Sequence, residues 1–498
     1  MYLLLVTVVI FSSWIYVRWR HVKGFWARRN VPHHPPHPIL GGLTFLQREN
    51  PTIWMRKMYK EFKTPYVGTW MFWRPALIIN SPEIARRILV KDADVFRNRF
   101  LSSGKSDPIG GLNLFTVNEP LWSYLRRRLT VVFTAAKLRA LQNLISTKTE
   151  QLSMRIRNDI SQNKFIDIRS LYADYTTDII GAAAFGVNGE ATLTGESPLR
   201  SVTKTFMEYN LHRGLSWSSI FFFPELVDIF RFSLFPKSST EYFRRIFRTV
   251  VKERGGYENS AGENRDLLDA LRKLKYEADQ KNEEITEDML IAQAAIFLFG
   301  GFDTTAVTLT YLTLELAYNP HVQEKLYIEL QEAKERSGGE DLDATTLTEI
   351  NYMTAVIKET MRIFPSMGWM DRISSVDYRI DENLVIPAGT PVYINAAGIH
   401  LDDAYHQNPG KFDPDRFMPK NELSVTPFTY LPFGEGPRSC IGKRFAYNTM
   451  RRTVASVVLN YKLIPLPGYN RPEECSIEKR GLFLAPDRPL SIQFVPRS

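Results

Sequence analysis

The chain has 498 residues, of which 44% are hydrophobic and 23% are charged. These proportions are typical of a folded globular protein and exclude a wholly disordered chain. A mean hydropathy of −0.22 argues against a multi-pass membrane protein. Basic residues exceed acidic residues by 63 − 54 = 9, which suits an anionic membrane or an acidic partner and does not by itself indicate nucleic acid.

The chain contains two cysteines, Cys440 and Cys475. So few cysteines exclude a disulfide scaffold and a four-cysteine zinc or iron–sulfur site. Such sparing use fits a reducing compartment, such as the cytosolic side of a membrane. Cys475 has no motif around it, and we predict that it is an inert thiol.

The first 17 residues carry no charged side chain. A helix of this length spans about 25 Å, the short end of a bilayer crossing. Arg18, Arg20 and Lys23 follow directly, whereas a cleaved signal peptide carries its basic residues before the apolar stretch. We therefore predict that 1–17 is a retained transmembrane anchor, with a cleaved signal as the alternative, and that the basic flank keeps the rest of the chain cytosolic.

Residues 18–42 are predicted to form a basic flank and a proline-rich hinge. Four prolines between positions 32 and 38 favour a stiff, extended spacer. His33, His34 and His37 lie in the same stretch and could suggest a metal site, but a solvated hinge is the simpler interpretation. Residues 43–498 show no internal repeat and no strong linker, which predicts one large, mainly α domain with a small β component.

Most segments of this domain have helical period, and short β-rich pieces interrupt them. We predict strands near Tyr66–Asn80, Tyr378–Asn395 and Leu482–Phe494 because these pieces combine β-branched and aromatic residues with turn residues at their ends.

A glycine-rich loop surrounds Cys440. Glycines at 434, 436 and 442 permit turns that other residues resist and let the backbone approach a ligand closely. A helix predicted from about Lys443 to Asn460 places Cys440 just before a helix N-terminus, where the dipole and free N–H groups favour a thiolate. An isolated thiolate in such a loop suits an axial haem ligand. The alternative is a buried structural cysteine.

The spacing of Phe433, Gly436, Arg438, Cys440 and Gly442 resembles the haem-binding signature of the cytochrome P450 family, the haem-thiolate monooxygenases. The resemblance implies the fold of that family, haem b as cofactor and Cys440 as the ligand of the iron. It also implies that Phe433 packs beside the sulfur, that Arg438 binds a haem propionate and that Gly442 belongs to the cofactor-binding loop.

A second motif lies in a long helix predicted between Thr286 and Pro320. Its centre carries adjacent glycines at 300 and 301, followed by Asp303 and Thr304, and the acid interrupts the apolar run that a membrane span requires. The plain interpretation is a kinked core helix whose threonines bond to the preceding turn. The resemblance implies instead that Gly301 lies against the haem and that Asp303 and Thr304 deliver protons to dioxygen.

A third motif pairs Glu359 with Arg362 on one helix face, where i and i+3 side chains meet. By itself such a pair is an ordinary surface ion pair. The family uses a Glu-x-x-Arg pair together with a later arginine, here Arg416, in a structural network that holds the loop of the thiolate. The resemblance implies that role for these three residues.

A fourth motif places Trp122 and Arg126 on one helix face. The family uses this pair, with an arginine soon after the Glu-x-x-Arg helix (here Arg372), to hold the haem propionates. Two buried propionates need such cations. The alternative for Arg372 is a surface arginine.

Two further features allow two interpretations each. Leu215–Pro236 contains seven aromatic residues and is either core packing or, by resemblance, a lid that lines substrate access and dips into the membrane. Basic residues recur at Arg126–Arg128, Lys137, Arg139 and Lys443–Arg444. They form either a solvated face or a docking surface for an acidic reductase.

The four motifs occur in the family's order, and the resemblance runs from about residue 30 to the C-terminus. It is greatest to microsomal, insect detoxification members. It implies a protein of the endoplasmic reticulum membrane that inserts one oxygen atom of O2 into an apolar small molecule, namely a xenobiotic, a plant toxin or an endogenous lipid. NADPH would supply electrons through a flavoprotein reductase, with cytochrome b5 as a second donor. The alternatives are an isomerase or dehydratase that does not use O2, and a non-catalytic haem-binding protein.

Overall fold

The computed structural model describes residues 2–258, 266–339, 341–422 and 424–497. Helices account for most of this part of the chain, as the sequence predicts. The α-helices in chain order are α1 (Tyr2–Lys23), α2 (Pro51–Phe62), α3 (Pro82–Arg86), α4 (Pro108–Gly111), α5 (Leu121–Thr130), α6 (Ala135–Ala140), α7 (Gln142–Ser161), α8 (Ile168–Phe185), α9 (Ala191–Thr194), α10 (Pro198–Phe206), α11 (Leu211–Phe222), α12 (Val227–Phe230), α13 (Lys237–Glu253), α14 (Leu267–Gln280), α15 (Glu287–Tyr318), α16 (Pro320–Arg336), α17 (Ala344–Glu349), α18 (Asn351–Ile363), α19 (Ala396–Ile399), α20 (Pro419–Glu422) and α21 (Lys443–Asn460).

The strands form small sheets at the edges of the helical body. They are β1 (Tyr66–Met71), β2 (Arg74–Ile79), β3 (Met370–Ile373), β4 (Tyr378–Arg379), β5 (Val385–Ile386), β6 (Pro391–Ile394), β7 (Tyr461–Pro465) and β8 (Ile492–Pro496). The main sheet has the order β1-β2-β6-β3, with β2 parallel to β6 and the other pairs antiparallel. The remaining strands pair as β4 with β5 and β7 with β8.

Two of the three predicted β-rich pieces contain strands over much of their length. The third is wrong at its start, because β8 begins only at Ile492. The sequence also misses β3 and β7. Strand β7 begins at Tyr461, directly after α21 ends at Asn460, and its few residues extend the apolar pattern of that helix. Strand β3 carries the fully buried Asp371 and the nearly buried Arg372, which hide its strand character.

Helix α15 crosses the middle of the body, with bounds close to the predicted ones. The Thr286 hydroxyl accepts a hydrogen bond of 3.2 Å from the Met289 N–H and so caps its first turn. The helix is long and apolar enough to cross a membrane, but 83% of its most apolar window is buried inside the protein. It is therefore a core helix, in agreement with the prediction, and it packs lengthwise on α8, where Thr176 donates a hydrogen bond of 2.8 Å to the Phe302 carbonyl.

Helix α1 extends beyond the predicted end of the anchor at residue 17 and continues to Lys23. Its apolar side chains from Leu4 to Val17 are mostly exposed, and its C-terminal end packs on the body. There Trp26 is fully buried against β1 and donates a hydrogen bond of 2.9 Å to the Thr69 carbonyl. Met1 lies outside the described residues.

The segment predicted as a hinge lies along β1. The Gly68 N–H donates to the Pro32 carbonyl at 2.8 Å, and the Gly42 N–H donates to the Trp70 carbonyl at 2.7 Å. Val31 is buried in the same small core as Trp26. The two ends of the segment, at Pro32 and Gly42, therefore pair with β1, while most of the residues from 34 to 40 between them are exposed. The three histidines of this segment contact different partners, and the described residues contain no cluster that could hold a metal.

The aromatic segment 215–236 is mostly core packing, the first interpretation offered for it. Trp217, Phe222 and Phe235 are buried in the main core. The tip of the segment is different, since Ile229 and Phe230 are 69% and 59% exposed. Most of the segment is thus core packing, and a short apolar tip faces outward.

Candidate active site

A cavity of about 320 Å³ lies beside the Cys440 loop. Helix α15 forms one wall, and α5, α11 and β3 contribute the others. Apolar and aromatic side chains make up most of the lining. Among the described residues that line it, four are arginines and none is acidic; the lining includes Arg99, Leu114, Phe115, Trp122, Arg126, Phe221, Phe297, Gly300, Gly301, Thr304, Thr308, Met367, Trp369, Arg372, Phe433, Arg438, Cys440, Gly442 and Leu482.

The loop before α21 presents Cys440 to this cavity. The Cys440 N–H donates to the Phe433 carbonyl at 2.9 Å, which closes the loop. Gly436 has φ +75°, and a Cβ there would lie 1.8 Å from the Leu89 carbonyl oxygen, so this turn requires glycine. Burial raises the pKa of the Cys440 thiol, while the Gly442 N–H and nearby Arg126 act in the opposite direction. The other thiol, Cys475, is outside this wall, and burial raises its pKa to about 11.

In the described part of the chain, Asp371 is the one carboxylate that pairs with any of the four arginines of the cavity wall. Asp371 is fully buried and accepts a hydrogen bond of 3.1 Å from Arg99. Its second oxygen is occupied by the backbone N–H groups of Phe100 and Leu101. The remaining three guanidinium groups therefore lack a carboxylate partner in the part of the chain that is described, and they mark a place for an anionic ligand.

The pKa values of these arginines indicate the same excess of positive charge. Burial, followed by the neighbouring Arg99, lowers the pKa of Arg438 to about 8 and that of Arg372 to about 9. Arg438 donates to the Arg97 carbonyl at 2.6 Å and lies 4.3 Å from the Trp122 ring centroid, and one of its terminal nitrogens is buried without a described partner. Burial also lowers the pKa of Arg126, whose guanidinium forms no hydrogen bond with any described residue. Two carboxylates brought by a ligand would satisfy these groups.

The two glycines of α15 differ in their surroundings. A Cβ at Gly301 would lie 2.7 Å from the Ile180 side chain on α8, so this glycine is required by the packing of the two helices. A Cβ at Gly300 would meet no described atom within 4 Å. Both line the cavity, and the open space in front of Gly300 gives a flat ligand room to approach the helix.

Thr304 lies in the cavity wall and Asp303 does not. The Thr304 hydroxyl donates to the Gly300 carbonyl at 2.6 Å, which is the backbone bond of the plain interpretation. Asp303 is fully buried and forms an ion pair with Arg169 at the start of α8. The structure thus brings the predicted hydroxyl to the cavity and places the predicted acid behind it, between α15 and α8.

The predicted structural network is present and buried. Arg362 donates two parallel hydrogen bonds of 2.8 Å to Glu359, and Arg416 donates to the same carboxylate at 3.3 Å. Glu359 and Arg362 are completely buried. The Asp413 N–H adds a fourth donor at 3.0 Å, so every charge in this network has a partner.

His400 connects this network to the thiolate loop, a role that the sequence did not reveal. Its Nδ1 lies 3.1 Å from the Arg362 carbonyl, and its Nε2 accepts a hydrogen bond of 2.7 Å from the Leu431 N–H. The ring must therefore be neutral, with the proton on Nδ1. Burial lowers the pKa of His400 to about 3, in agreement with this tautomer.

Comparison with known proteins places the chain in one family. Residues 31–494 match the family model described as Cytochrome P450. Cytochrome P450 6k1 of Blattella germanica is 30% identical, and the alignment covers 98% of this chain and 96% of that protein. Probable cytochrome P450 6g2 of Drosophila melanogaster is 32% identical, with 88% of each chain covered. Cytochrome P450 6B2 of Helicoverpa armigera is 29% identical over 99% and 97%.

The chain belongs to the cytochrome P450 family, and the predicted resemblance to insect members is confirmed. The protein is a haem-thiolate monooxygenase, an oxidoreductase of one mainly helical catalytic domain with small sheets. Its family binds haem b through a cysteine thiolate and uses O2, a redox partner and a small-molecule substrate. The excess of arginine over acid in the cavity wall fits a cofactor that carries two carboxylates.

Proposed function

We propose that this protein inserts one oxygen atom of O2 into apolar small molecules, with electrons from NADPH through a membrane-bound flavoprotein reductase. The substrates are xenobiotics, plant toxins or endogenous lipids. The observation that carries this proposal is the combination, in one cavity, of the Cys440 thiol, four arginines and a wall that is otherwise mostly apolar.

We assign Cys440 as the ligand of the haem iron, because Cys475 lies outside the cavity. Arg126, Arg372 and Arg438 would hold the two propionates, and Trp122 stacks on Arg438. Phe433 and Gly442 flank the thiolate loop, and Gly301 lets α15 lie close to α8 behind the cofactor. Haem b, when bound, supplies the cleavage of dioxygen and the transfer of one oxygen atom to substrate.

The protein contributes protons and an apolar space to this chemistry. Asp303 is the acid next to the cavity, and its Oδ2 has no partner in the described part of the chain. Thr304 is the adjoining hydroxyl on the cavity side. We assign Asp303 as the group that accepts protons and passes them on, and Thr304 as the group that orients their path to the cavity. Phe221, Trp369 and Leu482 exclude water and accommodate an apolar substrate.

The relay residues also argue against a member of the family that does not use O2. An isomerase or dehydratase needs no proton delivery to dioxygen, so it has no use for a buried acid next to a hydroxyl. The test is turnover under labelled oxygen gas with purified protein, reductase and NADPH. The proposal predicts products that carry one labelled atom each, detected by mass spectrometry across a panel of apolar compounds. Products without label would support the isomerase, and an absence of turnover with every compound would support a haem carrier.

The exposed apolar helix α1 supports a membrane anchor. Its outward side chains, including Leu5, Ile10 and Trp14, are each at least 59% exposed, and such a surface needs a lipid or protein cover. We propose that α1 spans the endoplasmic reticulum membrane once and that the catalytic domain faces the cytosol, where basic residues of α5, α6 and α21 meet the reductase or cytochrome b5.

The topology has its own test. A glycosylation tag inserted after residue 50 is expected to stay unmodified in microsomes, while the protein resists extraction with alkaline carbonate. A glycosylated tag would reverse the orientation, and extraction by carbonate would remove the anchor from the proposal.

A further inference from the structure

A second cavity, of about 480 Å³, lies next to the active-site cavity. It is enclosed by α5, the segment 131–141, α8 and α14. The rings of Phe133 and Phe297 contact each other, with centroids 5.2 Å apart. Together with two further apolar side chains they line both cavities and form the partition between them, which consists of Phe133, Ile180, Phe297 and Phe445. The volume lies within the range of about 300–1,000 Å³ that is typical of small-molecule sites.

Small side chains on two helices leave this space open. Ala183 and Ala184 line the cavity from α8, and Ala270 lines it from α14. Larger side chains at these positions would fill the space, whereas the alanines leave the opposite wall without partner atoms on that side. Leu138 and Leu274 add to the interior and offer no hydrogen-bonding group. Apolar cavities of this kind stay dry and take up small apolar molecules.

Both acidic residues at the edge of the second cavity have cationic partners. Asp266 lies 2.6 Å from Arg254. Glu277 lies 3.0 Å from Arg128 and 3.8 Å from Lys273. These pairs compensate one another, so neither acid and neither of the two cations in the lining requires a charged ligand.

The two other basic residues of the lining are also satisfied without a ligand. Arg127 is exposed, so water solvates its guanidinium. Lys137 has a partner of its own. A charged ligand would therefore lose its hydration in the apolar interior and find no unpaired charge there to replace it. The lining selects a neutral molecule.

We propose that this second cavity binds a small neutral hydrocarbon. The ligand occupies the interior between α8 and α14 and packs against Phe297 and Phe445, which are also part of the active-site wall. The site is distinct from the substrate cavity because the partition lies between the two. The proposal concerns binding alone and does not depend on the substrate or reductase assignments.

The test is titration calorimetry of naphthalene with the haem-loaded protein while the active site is already occupied. One equivalent of 1-phenylimidazole fills the active site, because its ring nitrogen binds the haem iron, and the shifted Soret band shows that it stays there. The proposal predicts that naphthalene binds as one molecule per chain and that the Soret band does not move. 2-Naphthoate has the same rings with a charge added, and it should bind at least about tenfold more weakly.

Filling variants locate the bound naphthalene. Ala270→Trp projects into the second cavity from α14, at a half-buried position, and should abolish the binding. Ala183→Leu fills the same cavity from α8 with a smaller change and should weaken it. Ala140→Trp, at an exposed position of α6 outside the lining, is the matched control and should bind naphthalene as the unmodified protein does.

Three results would overturn the proposal. Return of the Soret band to its unshifted position during the titration would place naphthalene in the active site. Undiminished binding in both Ala270→Trp and Ala183→Leu would place it elsewhere on the protein. Absence of binding to the unmodified protein would show that the second cavity does not take up a hydrocarbon.

Discussion

Arg169 on α8 and Asp303 on α15 form a buried ion pair directly behind the wall of the active-site cavity. Asp303 is fully buried, and its Oδ2 and the Nη1 of Arg169 have no hydrogen-bond partner among the described residues. Burial opposes the charge of Arg169, but Asp303 and Tyr209 outweigh it and raise the pKa of Arg169. The acid proposed to supply protons is therefore held by a cation on a different helix, and the two helices are joined through it.

Removing this cation should destabilise the protein. Arg169→Met leaves the Asp303 carboxylate buried without a partner, which costs about 3–5 kcal/mol of unfolding free energy. Asp303→Asn in the same chain removes the unpaired charge and should restore part of that loss. Denaturant unfolding of both single variants and of the double variant measures the coupling, and additive losses would show that the pair contributes nothing.

The relay predicts different defects for its two members. Thr304→Ala should keep NADPH consumption but lower the product formed per NADPH and raise hydrogen peroxide. The rate of the productive step should fall by at most about 10²-fold. Asp303→Asn should slow NADPH oxidation itself, because the proton source is impaired. Thr304→Ser, which keeps the hydroxyl, is the control. Measuring NADPH, product and peroxide together tests the relay. An unchanged ratio of product to NADPH in Thr304→Ala would mean that the Thr304 hydroxyl serves only to bond the Gly300 carbonyl.

The two thiols should differ completely in one spectroscopic test. The reduced protein with carbon monoxide should show the red-shifted Soret band of thiolate ligation. Cys440→Ser should lose this band, and Cys475→Ser should keep it, because only the first thiol lines the cavity. The reverse result would contradict the assignment of the ligand.

Arg126 should contribute to haem retention and not to the stability of the fold. Its guanidinium has no hydrogen-bond partner in the described part of the chain, so Arg126→Gln removes a cation without breaking an existing pair. Loss of a charged hydrogen bond of about 1.5–3 kcal/mol corresponds to roughly 10- to 100-fold weaker haem retention. Haem transfer to an excess of a scavenging apoprotein measures this loss. Arg139→Gln, on the exposed face of α6, should transfer haem at the unmodified rate.

His400 should make the stability depend on pH. Its folded-state pKa of about 3 is below the usual 6.5, so the unfolded chain binds a proton before the folded protein does. The contribution to stability is complete above pH 6.5 and declines as the pH falls toward 3. Between pH 7 and 5.5 the unmodified protein should lose about 1 kcal/mol more unfolding free energy than His400→Gln. Equal losses in the two proteins would mean that His400 takes up its proton over the same pH range in the folded protein as in the unfolded chain.

The parts of the site that could be predicted are those whose residues lie close together in the sequence. Cys440 lies among closely spaced glycines, and Glu359 and Arg362 are three residues apart on one helix, so short-range geometry identifies them. Arg99 could not be found in this way. It precedes no motif, and its partner Asp371 is 272 positions away on β3.

The orientation of Asp303 was hidden for a similar reason. The sequence shows an acid beside Thr304, but a helix turns by about 100° per residue, so adjacent side chains face different directions. Which of the two faces the cavity depends on what α8 offers, and Arg169 attracts the acid to the opposite side. The docking of the proline-rich segment depends likewise on Trp26, whose site on β1 is formed by residues more than 40 positions away.

The burial of Trp26 bears on where this protein can be shortened for study in solution. A Cβ at Gly68 would lie 2.4 Å from the Trp26 ring, and the Trp70 indole donates to the Val22 carbonyl at 3.1 Å. A chain begun at residue 43 would remove three buried side chains, Val22, Trp26 and Val31, from the small core and uncover one face of β1. A chain begun at residue 18 would lack the apolar segment 1–17 and keep Trp26 in its site on β1.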